Sequence, residues 1–145
     1  MSPPQLVRLV YWSVARAPYG DATFNAILNS ARRHNAANGV TGVLLFHRGR
    51  FVQAIEGERD PVTETYARIV NDTRHENCVL LGVERIDERT FGDWTMGRLP
   101  VGGDDGVAAD TLLTHLREFS PSVAHPAATA VLQALSRKLI AQSAP

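Results

Sequence analysis

The sequence predicts an α+β fold of the ferredoxin-like type, β-α-β-β-α-β, with a fifth strand and two C-terminal helices that cover the opposite sheet face. Three observations predict it. Segments of strand period and of helix period alternate in that order. A tight-turn signal, "RGR", joins the second and third strands. Strand residues are apolar on both sides, and the tail carries two amphipathic stretches able to cover the second side.

Each element follows from local chemistry. "QLVRLVYWS" (Gln5–Ser13) is rich in β-branched and aromatic residues and reads as strand. "ARAPYGDA" is a turn-rich connection, and Asp21 is a candidate cap for the helix after it. Phe24, Ile27, Leu28 and Ala31 recur at helical spacing, and Asn38-Gly39 suits a left-handed stop. "VTGVLLFH" and "FVQAIEG" form a hairpin across "RGR". Asp60-Pro61 starts a second helix whose stripe is Val62, Tyr66, Ile69 and Val70. "NCVLLGVERI" is a fourth strand and "WTMGRL" a short fifth. Leu112, Leu113, Leu116 and Phe119 mark one tail helix. Val131, Leu132, Leu135 and Leu139 mark the other, after a break at "SPSVAHP".

Composition bounds the function. The 145 residues suit one ordinary domain core, and 15 Lys+Arg balance 15 Asp+Glu. That balance argues against a polyanion binder. One cysteine, Cys78, excludes an intramolecular disulfide or a multi-Cys metal site. No signal-type segment and no membrane-length apolar run is present, so a cytoplasmic protein with no membrane partner is expected. The histidines offer no i, i+4 pair or HExxH, so no metal is expected.

Two motifs are weighed and set aside. "RGRFVQA" resembles the first ribonucleoprotein motif of RNA-recognition domains, but Arg50 and Ala54 stand at two of the three stacking positions. "GGDDG" (Gly102–Gly106) resembles the turn of nucleotide cyclases, with too little chain around it for that fold. It reads as an acidic linker.

The informative residue is Gln53. It shares a strand face with Phe51 and Ile55, and a buried amide left unpaired costs about 1–3 kcal/mol. Strands 1 and 3 are central neighbours in this fold, which makes Tyr11 a candidate partner. Asn35, near the end of helix 1, and Arg68 and Asp72, one turn apart on helix 2, are candidates for the same region. A pocket with an amide, a guanidinium and a carboxylate suits a flat heterocycle with imide edges. A plain Tyr–Gln bond with an exposed Arg–Asp pair explains the same residues.

The blocks "LVRLVYWSVA", "SARRHNAANGVTGVLLF", "FVQAIEG", "ETYARIVNDTRHENC" and "DWTMG" resemble, in order and spacing, the BLUF family of blue-light sensors using FAD. The resemblance covers about residues 5–99 and implies a flavin-binding domain there, with 100–145 as linker and helical cap. It implies FAD held noncovalently, Tyr11 as the photoactive tyrosine and Gln53 as its bridge to the flavin. Asn35, Arg68 and Asp72 would hold the ring's imide edge. Arg74 and His75 would face the ribityl-phosphate side, with Ile27 also lining the flavin. His34 stands where many members carry a second asparagine. Ser13, Trp94 and Met96 match positions near the Tyr–Gln pair. Light would draw an electron and then a proton from Tyr11 and leave Gln53 rotated or tautomerised. No enzyme activity is implied. Output would pass through a homo-oligomer or a downstream protein partner, not nucleic acid. The rival readings are a constitutive flavin-binding or flavin-reducing protein and an RNA-binding module.

Overall fold

The computed structural model describes residues 5–16, 21–91, 95–99, 110–113 and 125–135. Its elements are β1 (Leu6–Ala15), α1 (Asp21–Asn38), β2 (Thr41–His47), β3 (Arg50–Glu58), α2 (Arg59–Val70), β4 (His75–Ile86) and β5 (Gly97–Arg98). Residues 110–113 and 125–135 are also helical. The sheet order is β4-β1-β3-β2-β5. All pairs are antiparallel except β2–β5, which is parallel. This is the ferredoxin-like order, with the added strand on the β2 edge.

Local chemistry sets the joints. Gly39, at φ 69°, ends α1 in the left-handed region. Arg48 and Gly49, at φ 50° and 75°, form a two-residue turn whose twist matches that of β2 and β3. The strict alternation of β3 then puts Phe51, Gln53 and Ile55 on one face and Val52 and Ala54 on the other.

Each face has its own core. On the helix side, Val7, Leu9, Tyr11, Phe51 and Ile55 pack with Phe24 and Leu28 of α1 and Val62 of α2. On the other side, Val10, Val43, Leu45, Val52 and Ala54 pack with Leu112, Leu113, Ala128, Leu132 and Leu135. The expected second cover is therefore present for the described parts of the tail. Close approach is visible at Gly82, where a Cβ would lie 2.9 Å from the His125 ring. Leu116, Phe119, Leu139, the Gly102–Gly106 stretch and the break at 120–124 lie outside the described residues, as does Pro100, where the linker is expected to begin.

Three boundaries differ from expectation. β4 begins at His75, two residues early, with Asn77 at φ 54° inside it. β5 is only Gly97–Arg98, paired in parallel with Val43 and Leu44, and the Leu99 N–H donates to the Leu44 carbonyl at 2.9 Å just beyond it. Asp72 is not on α2. The helix ends at Val70 with Asn71 as its C-cap, and Asp72 lies in the turn beyond.

A charged cluster the sequence did not suggest anchors Thr90 and Phe91 to the sheet. Arg8 is buried, and its Nε donates to Glu56 Oε2 at 2.9 Å. Its other nitrogens donate to Glu84 Oε1 at 2.5 Å and to Thr90 Oγ1. Glu56, fully buried, also accepts from the backbone N–H groups of Thr90 and Phe91 at 2.9 and 3.0 Å. A buried carboxylate is tolerable only with such a full set of donors.

Candidate functional site

Between α1, α2 and the helix-side sheet face lies a cavity of about 340 Å³. Helical stripes build two of its walls. Ile27, Ala31 and Asn35 follow at i, i+4, i+8 on α1, with Ser30 beside them. Thr65, Arg68 and Ile69 come from α2. Tyr11, Leu44, Phe51 and Gln53 come from the sheet. Asn71, Asp72, Arg74 and His75 close it from the turn and the start of β4.

Tyr11 and Gln53 are direct partners across β1 and β3. The Tyr11 hydroxyl donates to Gln53 Oε1. Gln53 Nε2 in turn donates to Met96 Sδ at 3.2 Å. All three side chains are buried. Desolvation, with the nearby Cys78, Tyr66 and Asp72 adding to it, holds the Tyr11 phenol well above its usual range. Tyr11 is thus a neutral donor. Tyr66 lies against it, ring centroids 5.4 Å apart, and burial raises its phenol too.

The polar groups at the rim sort by partner. Asp72 takes a forked bond from Arg74, with Arg74 Nε at 2.9 Å and Nη2 at 2.6 Å, and it also accepts from the Arg74 backbone N–H at 3.0 Å. That bonding lowers the Asp72 carboxyl and raises Arg74. The alternative of a plain Arg68–Asp72 ion pair is therefore not what forms: Asp72 pairs with Arg74, because the chain turns just past the helix. Arg68 has no ion pair among the described residues, and desolvation lowers its guanidinium. Asn35 is 1 % exposed; its Nδ2 donates to the Thr95 carbonyl at 2.5 Å, while its Oδ1 is buried without a partner.

Ser13 is fully buried one strand repeat beyond Tyr11 and bonds His75, not the Tyr–Gln pair. The His75 Nε2 atom lies 2.5 Å from the Ile69 carbonyl, which can only accept, so Nε2 carries the proton. Nδ1 then accepts from the Ser13 hydroxyl at 2.8 Å. His75 is thereby fixed as a wall of the cavity. His34 is exposed and outside the lining, since one residue is about 100° of helix from Asn35. Trp94 lies outside the described residues. Ser30, Ala31, Leu44, Phe51, Thr65, Ile69 and Asn71 line the cavity although sequence reasoning did not single them out as site residues. For Ala31 and Thr65 the signal was present: each sits one turn from a named residue.

The cavity fits a flavin ring. Its volume lies in the range of small-molecule sites, about 300–1,000 Å³. An imide edge offers an N–H and carbonyl oxygens. The bare Asn35 Oδ1 and the Arg68 guanidinium, which has no ion pair among the described residues, are the matching acceptor and donor.

Comparison with known proteins agrees. The model of the family "BLUF: Sensors of blue-light using FAD" matches residues 6–97. Photoactivated adenylate cyclase subunit beta of Euglena longa is 37% identical over 92 residues, 63% of this chain and 11% of that protein. The blue light- and temperature-regulated antirepressor BluF of Escherichia coli (strain K12) is 34% identical over 87 residues, 60% of this chain and 22% of its own. The chain thus spans about a tenth of the cyclase and a fifth of the antirepressor. Among solved structures, the dark state of BlrB, a BLUF protein, superposes with a TM-score of 0.76 at 29% identity, covering 93% of this chain and 98% of that one. The photo-activated state of BlsA gives 0.74 at 28%, covering 90% and 94%. With the family's model matched across both core helices and β1 to β4 and reaching the first residue of β5, the chain belongs to the BLUF family, sensors of blue light using FAD.

Proposed function

We propose that Tyr11, Gln53 and Met96 are the light-responsive relay of this sensor, and that Asn35, Arg68, Asp72, Arg74, His75 and Ile27 hold its FAD noncovalently. The observation that carries the reading is Gln53. Its Oε1 accepts from Tyr11 and its Nε2 donates to Met96, so one amide joins the buried phenol to the approach of β5.

When bound, the flavin supplies blue-light absorption and a strongly oxidising excited state. The residues supply the rest. Tyr11 holds its proton against Gln53 Oε1 in the dark. A rotated Gln53 presents Nε2 to the Tyr11 oxygen and Oε1 to the Met96 sulfur. A thioether accepts weakly and cannot donate. Rotation therefore keeps a Tyr–Gln bond but breaks the Gln–Met one, and Met96 is released. Phe51, Leu44 and Ile69 keep water from the exchange.

The chain senses and does not itself catalyse. Its output passes to a protein partner or through a homo-oligomer. The names of its relatives, an adenylate cyclase and an antirepressor, support a partner-directed signal. Residues 5–99 form the sensor and 100–145 the linker and cap. We place it in the cytoplasm, where FAD is supplied and a thiol such as Cys78 stays reduced.

The test is the spectrum of the purified protein. It should be yellow, shift reversibly to the red under blue light, and release its flavin to the filtrate on denaturation. A yellow protein with a fixed spectrum contradicts the sensor reading in favour of constitutive flavin binding, and flavin retained on the polypeptide contradicts noncovalent attachment.

A further inference from the structure

Three side chains outside β5 hold the two residues just before it. Asn35 Nδ2 donates to the Thr95 carbonyl at 2.5 Å, Gln53 Nε2 to Met96 Sδ at 3.2 Å, and Arg32 Nε to the Met96 carbonyl at 3.1 Å. Asn35 and Gln53 both face the cavity. Arg32 does not. It sits on α1 about one turn before Asn35, is exposed, and reaches Met96 from outside. The next contact toward the C-terminus is also with α1, where Arg98 lies over the Phe24 ring at 4.4 Å.

We propose that Arg32 is a positioning residue that keeps Met96 against Gln53 and thereby sets how long the light-induced bond pattern lasts. The inference rests on the reading of Gln53 and Met96 as the relay. With Gln53 rotated, the Gln–Met bond is lost and an amide oxygen faces the sulfur, two acceptors in contact. Met96 relieves that contact by moving away. The Arg32 bond to its carbonyl opposes the move and keeps the rotated state under strain, which drives Gln53 back. Without Arg32, Met96 withdraws freely and the rotated state persists. The main-chain acceptor explains why an arginine suffices whatever the side chain at 96 does.

The chain has two methionines, Met1 and the buried Met96, so methyl-labelled methionine gives two NMR signals, and the Met96 one is assigned by its loss in Met96→Leu. The experiment compares wild type, Arg32→Ala and Arg32→Lys, each flavin-loaded and each as apoprotein, with circular dichroism as the fold check. In Arg32→Ala the Met96 methyl signal should move toward its exposed-chain position in the dark apoprotein, and dark recovery of the red shift should slow about tenfold, equivalent to about 1.4 kcal/mol. Arg32→Lys keeps a donor and should restore both in part. Unchanged recovery and an unchanged Met96 signal in a folded Arg32→Ala overturn the inference and leave the relay standing. Faster recovery in Arg32→Ala also overturns it. A wild-type Met96 signal that does not respond to light overturns the relay reading, and this inference with it.

Discussion

Tyr11 is a buried phenol that donates to the Gln53 amide, and its environment makes ionisation costly. That has a measurable consequence. A phenol raised above its unfolded value of about 10 adds stability that is complete below pH 10 and lost as pH rises toward the folded value. Denaturant midpoints should fall between pH 8 and pH 10.5, and Tyr11→Phe should fall less; equal falls contradict the raised phenol. Arg68 is a second test. Its Ala variant should release flavin about tenfold more readily, measured by equilibrium dialysis, because no carboxylate among the described residues already holds that guanidinium. The cavity residues were legible to the extent that their positions followed from period. Tyr11 and Gln53 face each other because both strands alternate and the hairpin sets the register. The Arg74–Asp72 fork and the Ser13–His75 bond were not legible, because each depends on how the chain turns after α2, and no periodicity describes a turn.

At the scale of elements, the order of β1 to β4 and of both core helices followed from their patterns. β5 was expected as the short strand "WTMGRL", but its two-residue extent and its place beside β2 did not follow, because so short a strand shows no period and its pairing is set by tertiary contact. Nor did the Arg8–Glu56 pair, since charged residues in a strand read as a solvent face until both faces are known to be covered. The tail's cover was visible as an unmatched apolar demand on the second face. Leu132 is fully buried there, so Leu132→Ala should cost about 2–5 kcal/mol in a denaturant melt without altering the flavin spectrum. A loss under 0.5 kcal/mol contradicts its place in that core. Removing everything after Pro100 strips Leu112, Leu113, Ala128, Leu132 and Leu135 from Val10, Val43, Leu45, Val52 and Ala54. That protein should be poorly soluble or self-associating, and a monodisperse, equally stable fragment contradicts the cover.

For the whole molecule, the two sheet faces divide the work: one holds the cavity, the other carries the described helical segments of the tail, and residues 95–99 border both. Met96 packs in the helix-side core and Leu99 in the other. A change at Met96 is thus placed to reach the tail through three residues of backbone. Light should alter self-association or partner binding, read by sedimentation in darkness and under continuous blue light; a tenfold change needs about 1.4 kcal/mol, the size of one rearranged buried hydrogen bond. Identical sedimentation in both conditions, alone and with partners, contradicts this route. The central claim, that light rewrites the Tyr11–Gln53 bond, is tested most directly by light-minus-dark absorbance of the flavin-loaded wild type beside Tyr11→Phe and Gln53→Leu. Phe removes only the phenolic proton, and Leu keeps the bulk of Gln while removing both amide functions. The account predicts a reversible red shift in the wild type and none in either variant, with flavin still bound in all three; a full reversible shift in either variant would contradict it.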